Sequence, residues 1–469
     1  MEKILKVDLC VIGAGSGGLS TAAGAVQMGA SVVLIEANKM GGDCLNYGCV
    51  PSKSFLAAAK LAQNIKNSAQ FGIESTVKIH FDQVMRYVEN VIKTISVNDS
   101  VERFQKLGVK VILAEAKFID AHTVIAGEKI IKARRFVIAT GSSPSLPAIP
   151  GLEKINYFTN ETIFNLKQKP EHLIVIGGGP IGCELAQAFL MLGTKVTLLE
   201  ALHILPHDEP DLVDILRHEL LRQELILYEN CKNIQITQNN NNQIEVNFDG
   251  QSITGSEILI ATGRRANVDT LNLAVAGIHY SEKGITVNSR LRTTNKKVYA
   301  IGDVIGSYQF THMASYHAGI VLRNILFHLR AKVNYAAVPW VTYTEPELAH
   351  VGMLSNELKN TRSIKTLQWN FAENDRAQTE HKTQGKIKVL TTKKGKILGV
   401  SIIGSQAGEL LTPWIGAIQE GRKIREMTRF IIPYPTLSEI NKRVAGEFFT
   451  PLLFSERTKR LVRLMRIFG

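Results

Sequence analysis

The feature that most narrows what this chain can fold into occurs in it twice. Lys6 to Ile12 alternates into a continuous apolar run, Gly13-Ala14-Gly15-Ser16-Gly17-Gly18 follows, and a small-residue helix is predicted to about Gly29. Ser31 to Ile35 reads as a second strand ending at Glu36, twenty-three residues after Gly13. Strand, G-x-G-x-x-G, helix, strand and acid, in that order, is the dinucleotide-binding arrangement. Gly13 permits the turn, Gly15 admits a pyrophosphate, Gly18 lets helix approach strand, and Glu36 receives ribose hydroxyls. The second copy runs from a strand, His172 to Ile176, through Gly177-Gly178-Gly179-Pro180-Ile181-Gly182 and a helix from Cys183 to Leu192. It closes with a strand, Val196 to Leu199, and with Glu200, again twenty-three residues after its first glycine. Gly177, Gly179 and Gly182 take the same three tasks. A carboxylate at Glu200 repels a 2′-phosphate, and no arginine follows in residues 201–205 to neutralise one, so NAD(H) is expected in preference to NADP(H).

A length of 469 residues exceeds one ordinary core and suggests about three domains. Apolar residues at 45%, charged residues at 21% and 37 glycines fit a soluble α/β protein with many tight turns. The apolar runs are broken by glycine or charge, so no transmembrane span is expected. Met1 to Lys6 leads directly into a strand, which speaks against a signal peptide. Five cysteines in so long a chain do not suggest a secreted disulfide scaffold, whereas a cytoplasmic enzyme with one working pair fits. The net charge of +13 is not gathered into an aromatic-interleaved patch, so nucleic acid is not expected as a partner.

Between the first loop and the next helix lies Gly41-Gly42-Asp43-Cys44-Leu45-Asn46-Tyr47-Gly48-Cys49-Val50-Pro51-Ser52-Lys53. A regular helix would hold Cys44 and Cys49 about 7.5 Å apart along its axis, beyond comfortable disulfide reach. If they bond, the backbone is irregular there, and Gly48 supplies the freedom. A helix is predicted from about Pro51 to Gln70, and its amide dipoles favour a nearby thiolate. Two cysteines this close also arise by accident or as a metal half-site. No compact Cys or His set completes a zinc pattern, so no metal site is expected.

Together these stretches resemble the flavoprotein disulfide reductases, the class I pyridine nucleotide-disulfide oxidoreductases that include dihydrolipoamide dehydrogenase, glutathione reductase and mercuric reductase. The resemblance spans nearly the whole chain. It implies an α/β fold with two Rossmann-like dinucleotide-binding domains and a C-terminal α+β interface domain pairing two chains head to tail as a homodimer. The implied division is 1–145 and 270–336 for FAD, 146–269 for NAD, 337–455 for dimerisation and 456–469 as a basic tail. It also implies that Cys49 faces the flavin, that Cys44 meets the acceptor, that Lys53 lies near flavin N5 and that Glu184 pairs with Lys53. A helix N-terminal carboxylate stabilised by orphan amides would account for Glu184 equally simply. Cofactor contacts are further implied for Ser16, Gly17, Gly42, Asp43, Ala139, Thr140, Gly141, Pro180, Ile181, Gly263, Arg264, Gly302 and Asp303. Arg264 also reads as a solvated surface residue, and Asp303 as a strand-end turn acceptor.

Elsewhere, residues 52–107 read as two long helices, the second from Phe81 to Leu107, and Asp211 to Tyr228 as an amphipathic helix. Asn239 to Asn242 reads as a hairpin turn. A helix from about Met313 to Leu329 has His312 and His317 at its start, read as surface or cap residues. Pro339 to Glu345, Ser363 to Trp369, Gly385 to Thr391 and Ile397 to Ile403 are predicted strands, and Glu409 to Gln419 and Ile424 to Arg429 helices.

One departure from the family limits the assignment. Many relatives place His-Pro, followed by Glu, where this chain has Tyr434-Pro435 and Glu439, and use that histidine to shuttle a proton. A tyrosine near its usual pKa is a poor base at neutral pH. Tyr434 is either a catalytic or substrate contact or an interface-core residue, and the bond before Pro435 is a candidate cis peptide. The Tyr-then-Glu spacing resembles mercuric reductases, but no cysteine follows Cys231 to form their vicinal metal-receiving pair. The acceptor is therefore a disulfide, a metal or another oxidant. Direct reduction of quinone or oxygen by flavin, and a redox-silent scaffold, are the competing readings. The tail from Ser455 to Phe468 interleaves five Arg and Lys with apolar residues. It suits either weak contact with an anionic membrane or, as expected here, packing of its apolar side on the protein.

Overall fold

The computed structural model describes residues 4–239, 243–358 and 363–467. It forms two compact units: the residues up to Leu202 with Ile226–Val333, and His203–Leu225 with the residues from Asn334 on.

The chain opens with β1 (Ile4–Ile12), α1 (Ser16–Gln27) and β2 (Val32–Glu36), followed by α2 (Gly42–Asn46), α3 (Cys49–Lys66), α4 (Phe81–Ser96) and α5 (Val101–Lys106). Then come β3 (Lys110–Leu113), β4 (Ala116–Asp120), β5 (Thr123–Ala126) and β6 (Lys129–Ile138). The second β-α-β consists of β7 (His172–Ile176), α6 (Pro180–Met191) and β8 (Lys195–Leu199). Helix α7 (Pro210–Arg222) belongs to the second unit, and β9 (Ile226–Tyr228), β10 (Glu257–Ile260), β11 (Val298–Ala300) and α8 (Thr311–Leu326) to the first.

The first sheet runs β3-β2-β1-β6-β5-β4, with β11 also pairing β6; β5 and β4 are its antiparallel members. In β1, Leu9 and Val11 enter one hydrophobic cluster and Cys10 and Ile12 another. A parallel strand covered on both faces needs apolar residues at every position, which is why this one reads as a continuous run. The second sheet, β9-β8-β7-β10, is parallel throughout and buries Leu173 to Ile176 in the same way. This is the expected α/β class with two Rossmann-like halves.

Several boundaries differ from expectation. The helix from Phe81 does not reach Leu107: it ends at Ser96, and Ser100 caps α5 by accepting from the Arg103 amide at 3.2 Å. The predicted helix to Tyr228 stops at Arg222, and its last residues form β9 because Ile226 to Tyr228 extend the sheet beside β8. Residues 240–242 of the asparagine turn lie outside the described residues; the flanking strands, Gln235–Gln238 and Ile244–Phe248, pair antiparallel.

The second unit is an antiparallel sheet of β12 (Pro339–Thr342), β13 (Glu347–Gly352), β14 (Ile364–Asn370), β15 (Lys386–Thr392) and β16 (Ile397–Gly404), in the order β12-β13-β16-β15-β14. Strand β13, absent from the sequence expectation, is almost wholly buried. Trp414 sits in the core and donates its indole N–H to Asn441 on α9 (Glu439–Glu447) at 2.8 Å. Lys388 of β15 binds Glu209 and Asp211 at 2.8 Å each, fastening the start of α7 to this sheet. The last helix, α10 (Glu456–Met465), buries none of its residues. The expected packing of the tail's apolar side on the protein is therefore not seen; Phe468 lies outside the described residues.

His350 on β13 is 1% exposed, with Nδ1 2.7 Å from the Ser401 hydroxyl and Nε2 3.1 Å from the Gly352 carbonyl. Burial pushes its pKa down to about 4, against the partial support of the Gly352 carbonyl. The unfolded chain therefore binds the extra proton between pH 6.5 and about 4, so this contribution to stability is intact above 6.5 and is lost as pH falls. We expect urea unfolding to show a loss on the order of 1 kcal/mol per pH unit across this window. The pH slope should be reduced in His350→Gln.

Candidate active site

The first glycine loop and the dithiol segment are built against each other. A Cβ on Gly13, whose φ is +101°, would meet the Ala139 carbonyl at 2.4 Å, and one on Gly18 would meet the Gly13 carbonyl at 1.8 Å. Only glycine allows this approach of α1 to the end of β6. Glu36 accepts from the amides of Ala14 at 2.6 Å and Asn38 at 2.8 Å, holding the loop. Gly41 donates to the Ala14 carbonyl at 2.9 Å, and a Cβ on Gly42 would meet the Gly15 Cα at 2.7 Å, so α2 rests directly on the loop.

The second loop repeats the device. A Cβ on Gly182 would meet the Gly177 carbonyl at 1.8 Å, Pro180 opens α6, and Ile181 follows in its first turn. Glu200 accepts from the Gly178 amide at 2.5 Å and the Leu202 amide at 2.8 Å. At the middle glycines the backbone is open: nothing lies within 4 Å of a Cβ on Gly179, and the nearest atom to one on Gly15 is 3.9 Å away. Both loops thus present bare amide backbone at a helix start, which fits a dinucleotide pyrophosphate.

Cys44 and Cys49 occupy different helices. Tyr47 and Gly48 both donate their amides to the Asp43 carbonyl, at 2.8 and 2.7 Å, ending α2; α3 then starts at Cys49 itself. The structure holds both as free thiols, and the Cys49 sulfur lies 3.4 Å from the Thr311 hydroxyl. The neighbouring Cys44 thiol lowers the Cys49 pKa to about 6, against the opposing effect of burial and with help from the Thr311 hydroxyl and the Lys53 charge. The Cys49 neighbour and burial push the Cys44 thiol up. Of the two, Cys49 is the readier to ionise.

Lys53, one turn along α3, donates to Glu184 of α6 at 2.6 Å. Glu184 is only 5% exposed, so the structure brings together the two residues that the resemblance pairs, 131 positions apart. Arg264 is not a solvated surface residue: its side chain is 11% exposed and lies 3.2 Å from Asp43 and 4.0 Å from Asp303. It also donates to the Ser142 hydroxyl and carbonyl at 2.8 Å each, and Ser142 donates to Asp303 at 2.7 Å. Burial raises the Asp303 pKa against the Ser142 bond and the Arg264 charge. Thr140 donates to the Asn267 carbonyl at 2.7 Å, Asn267 returns its amide to Gly141 at 3.0 Å, and Gly263 accepts from Ser145 at 2.9 Å. These bonds join the two strand-end glycine segments.

Sequence reasoning missed several contributors. Thr311 stands 262 positions from Cys49, and its only local signal is a hydroxyl at a helix start. His317 is not a surface or cap residue: it is fully buried, accepts from the Gly302 amide at 3.2 Å, and has its pKa lowered to about 4 by burial. It therefore stays neutral and fixes the turn that carries Asp303. In the second unit, the bond from Tyr434 to Pro435 is cis, and the Tyr434 hydroxyl donates to Asp375 at 2.8 Å. That bond raises the phenol pKa, with the Asp375 charge and, last, the Glu439 charge in the same direction. Asp375 is the carboxylate that holds the Tyr434 hydroxyl.

Residues 7–318 match the family model described as pyridine nucleotide-disulphide oxidoreductase, and residues 338–445 its dimerisation domain. The chain belongs to the pyridine nucleotide-disulphide oxidoreductases. This oxidoreductase is 34% identical to a mercuric reductase of Staphylococcus aureus over 449 residues, covering 94% of this chain and 82% of that protein. It is 33% identical to a dihydrolipoyl dehydrogenase of Geobacillus stearothermophilus over 461 residues, covering 94% and 96%. Among solved structures it resembles the HOCl-induced flavoprotein disulfide reductase RclA of Escherichia coli, also determined as a Cu(II) complex. The Cu(II) complex gives a TM-score of 0.86 at 26% identity, covering 94% of this chain and 99% of that one. It is accordingly an FAD-dependent enzyme of this family that uses NAD(P)H. Among the described residues no helix is long and apolar enough to cross a membrane, and no cluster of His, Cys, Asp and Glu could hold a metal ion.

Alkylation of the dithiol form by iodoacetamide should rise through a midpoint near pH 6 as Cys49 ionises. Cys44→Ala should move that midpoint up further than Thr311→Val, because the Cys44 thiol is the largest cause of the depression.

Proposed function

We propose that this oxidoreductase carries electron pairs from NADH, through FAD, to Cys44 and Cys49 and on to an acceptor that a thiolate can ligate or split. In this reading residues 1–145 and 270–336 hold FAD, 146–269 hold NADH, and 337–455 pair two copies of the chain. Glu200 supports NADH over NADPH, since its carboxylate, held by two loop amides at the end of β8, would repel a 2′-phosphate. FAD, when bound, supplies two-electron transfer between nicotinamide and sulfur. Lys53, held by Glu184, places a positive charge beside the Cys49 thiolate.

The observation that carries the reading is the pair of free cysteines at the break between α2 and α3, with the Lys53–Glu184 ion pair one turn further along α3. Cys49, the readier of the two to ionise, acts as the resting thiolate, and Cys44 becomes a nucleophile by giving up its proton, for which the neighbouring Cys49 sulfur is an acceptor. With a disulfide acceptor, Cys44 bonds one acceptor sulfur while the other leaves with its electron pair. Cys49 then attacks Cys44, closing the intrachain disulfide and releasing the second thiolate. Relatives with histidine at this point have a base to remove the thiol proton. Tyr434, kept protonated by Asp375, can donate a proton but not accept one. A soft divalent metal needs no such base, because ligation by sulfur itself displaces the proton. The geometry therefore favours a soft-metal acceptor over dihydrolipoamide-type exchange, in line with the mercuric reductases among its relatives.

Cys44→Ser should lower NADH-driven reduction of soft-metal and disulfide acceptors by roughly a hundredfold or more while leaving bound flavin and NADH:ferricyanide activity intact. Unaltered acceptor turnover would instead show electrons leaving the flavin directly. Tyr434→Phe should reduce turnover with disulfides by about tenfold or more and spare soft-metal reduction.

A further inference from the structure

Helix α10 carries a second, separate surface. Leu461, Val462, Leu464 and Met465 lie on one side of it, three and four positions apart, and Leu452 and Phe454 stand just before it. All six are between 52% and 70% exposed. Lys459, Arg463 and Arg466 follow at the same spacing on the opposite side, with Arg460 at their flank, and Arg457 stands on the apolar side, four and seven positions before Leu461 and Leu464. The cap is well made, since Ser455 accepts from the Thr458 amide at 3.2 Å, so the apolar stripe belongs to a formed helix. Only Glu456 offsets the cations, paired with Lys459 at 2.8 Å. The match to the dimerisation domain ends at residue 445, and α10 begins just after the 337–455 segment read above as pairing, within which Leu452 and Phe454 still fall.

We propose that α10 docks on an anionic phospholipid bilayer, lying in the plane of the headgroups. At ten residues the helix is ~15 Å long, too short to span a bilayer but long enough to lie along its surface. Its leucines, Val462 and Met465 enter the acyl boundary, and the arginines and Lys459 meet lipid phosphates. An apolar stripe alone would suit any hydrophobic partner. Flanking it with four cations is what selects a phosphate-bearing surface, and the excess charge of +13 on the whole chain adds to the attraction.

The test is co-sedimentation of the full-length, FAD-loaded protein with vesicles of phosphatidylglycerol and phosphatidylcholine, or of phosphatidylcholine alone. Recovery should be high on the anionic vesicles and fall with added salt. It should drop by at least about fivefold on neutral vesicles, in Arg460→Ser/Arg463→Ser, and in Leu461→Ser/Met465→Ser. All four substituted side chains are exposed, and flavin absorbance checks that each variant is folded. Equal recovery of wild type and both variants, or equal recovery on both kinds of vesicle, would overturn the proposal. So would a Leu461→Ser/Met465→Ser protein that keeps its vesicle recovery but changes its oligomeric mass by light scattering, which would make the stripe a contact between copies. None of these readouts depends on the acceptor chemistry proposed above.

Discussion

The active-site chemistry rests on one interrupted helix. Two backbone amides converge on the Asp43 carbonyl, α2 ends, and a new helix begins at Cys49. A continuous helix would hold the two sulfurs about 7.5 Å apart along its axis; the break places Cys44 in one helix and Cys49 at the start of the next, close enough for each thiol to shift the other's pKa. A Cβ on Gly48 would come within 2.9 Å of the Asp43 carboxylate, so any larger residue here has to push that side chain aside. From this single bend follow the nearness of the two thiols and the lowered Cys49 pKa.

The remainder of the first unit serves to hold that bend in register with two nucleotide loops. Gly42 touches Gly15, so the dithiol moves with the first loop. Lys53 and Glu184 tie α3 to the helix that opens at the second loop. Arg264 gathers Asp43, Ser142 and Asp303, which come from three distant stretches, around one guanidinium. The nearly buried guanidinium of Arg264 would be costly to leave unpaired, and these two half-buried carboxylates with Ser142 satisfy it.

Much of this was legible in the sequence because it is local. The two glycine loops, their acids and the cysteine pair are defined by spacings within fifty residues, and the structure repeats them. What escaped was of two kinds. Caps and breaks, such as Ser100 interrupting the predicted long helix, depend on one hydrogen bond that competes with a good helical pattern. Thr311, His317 and Asp375 escaped because each acts on a residue that only the fold brings near. A hydroxyl, an imidazole and a carboxylate on polar-looking stretches carry no mark of the partner they will meet. Arg264 was ambiguous for the same reason, and β13 was hidden by a composition too short and mixed to show a strand period.

Lys388 binds Glu209, which precedes it by 179 positions, so the second unit is assembled from two pieces of chain with most of the first unit's remainder between them. On a ribosome, α7 emerges with Leu212, Val213, Leu216 and Leu220 ready to be covered and nothing yet made to cover them. The cover arrives only with β13 and β16. A stop codon or a stall anywhere in that interval leaves the apolar face of α7 with no sheet to receive it.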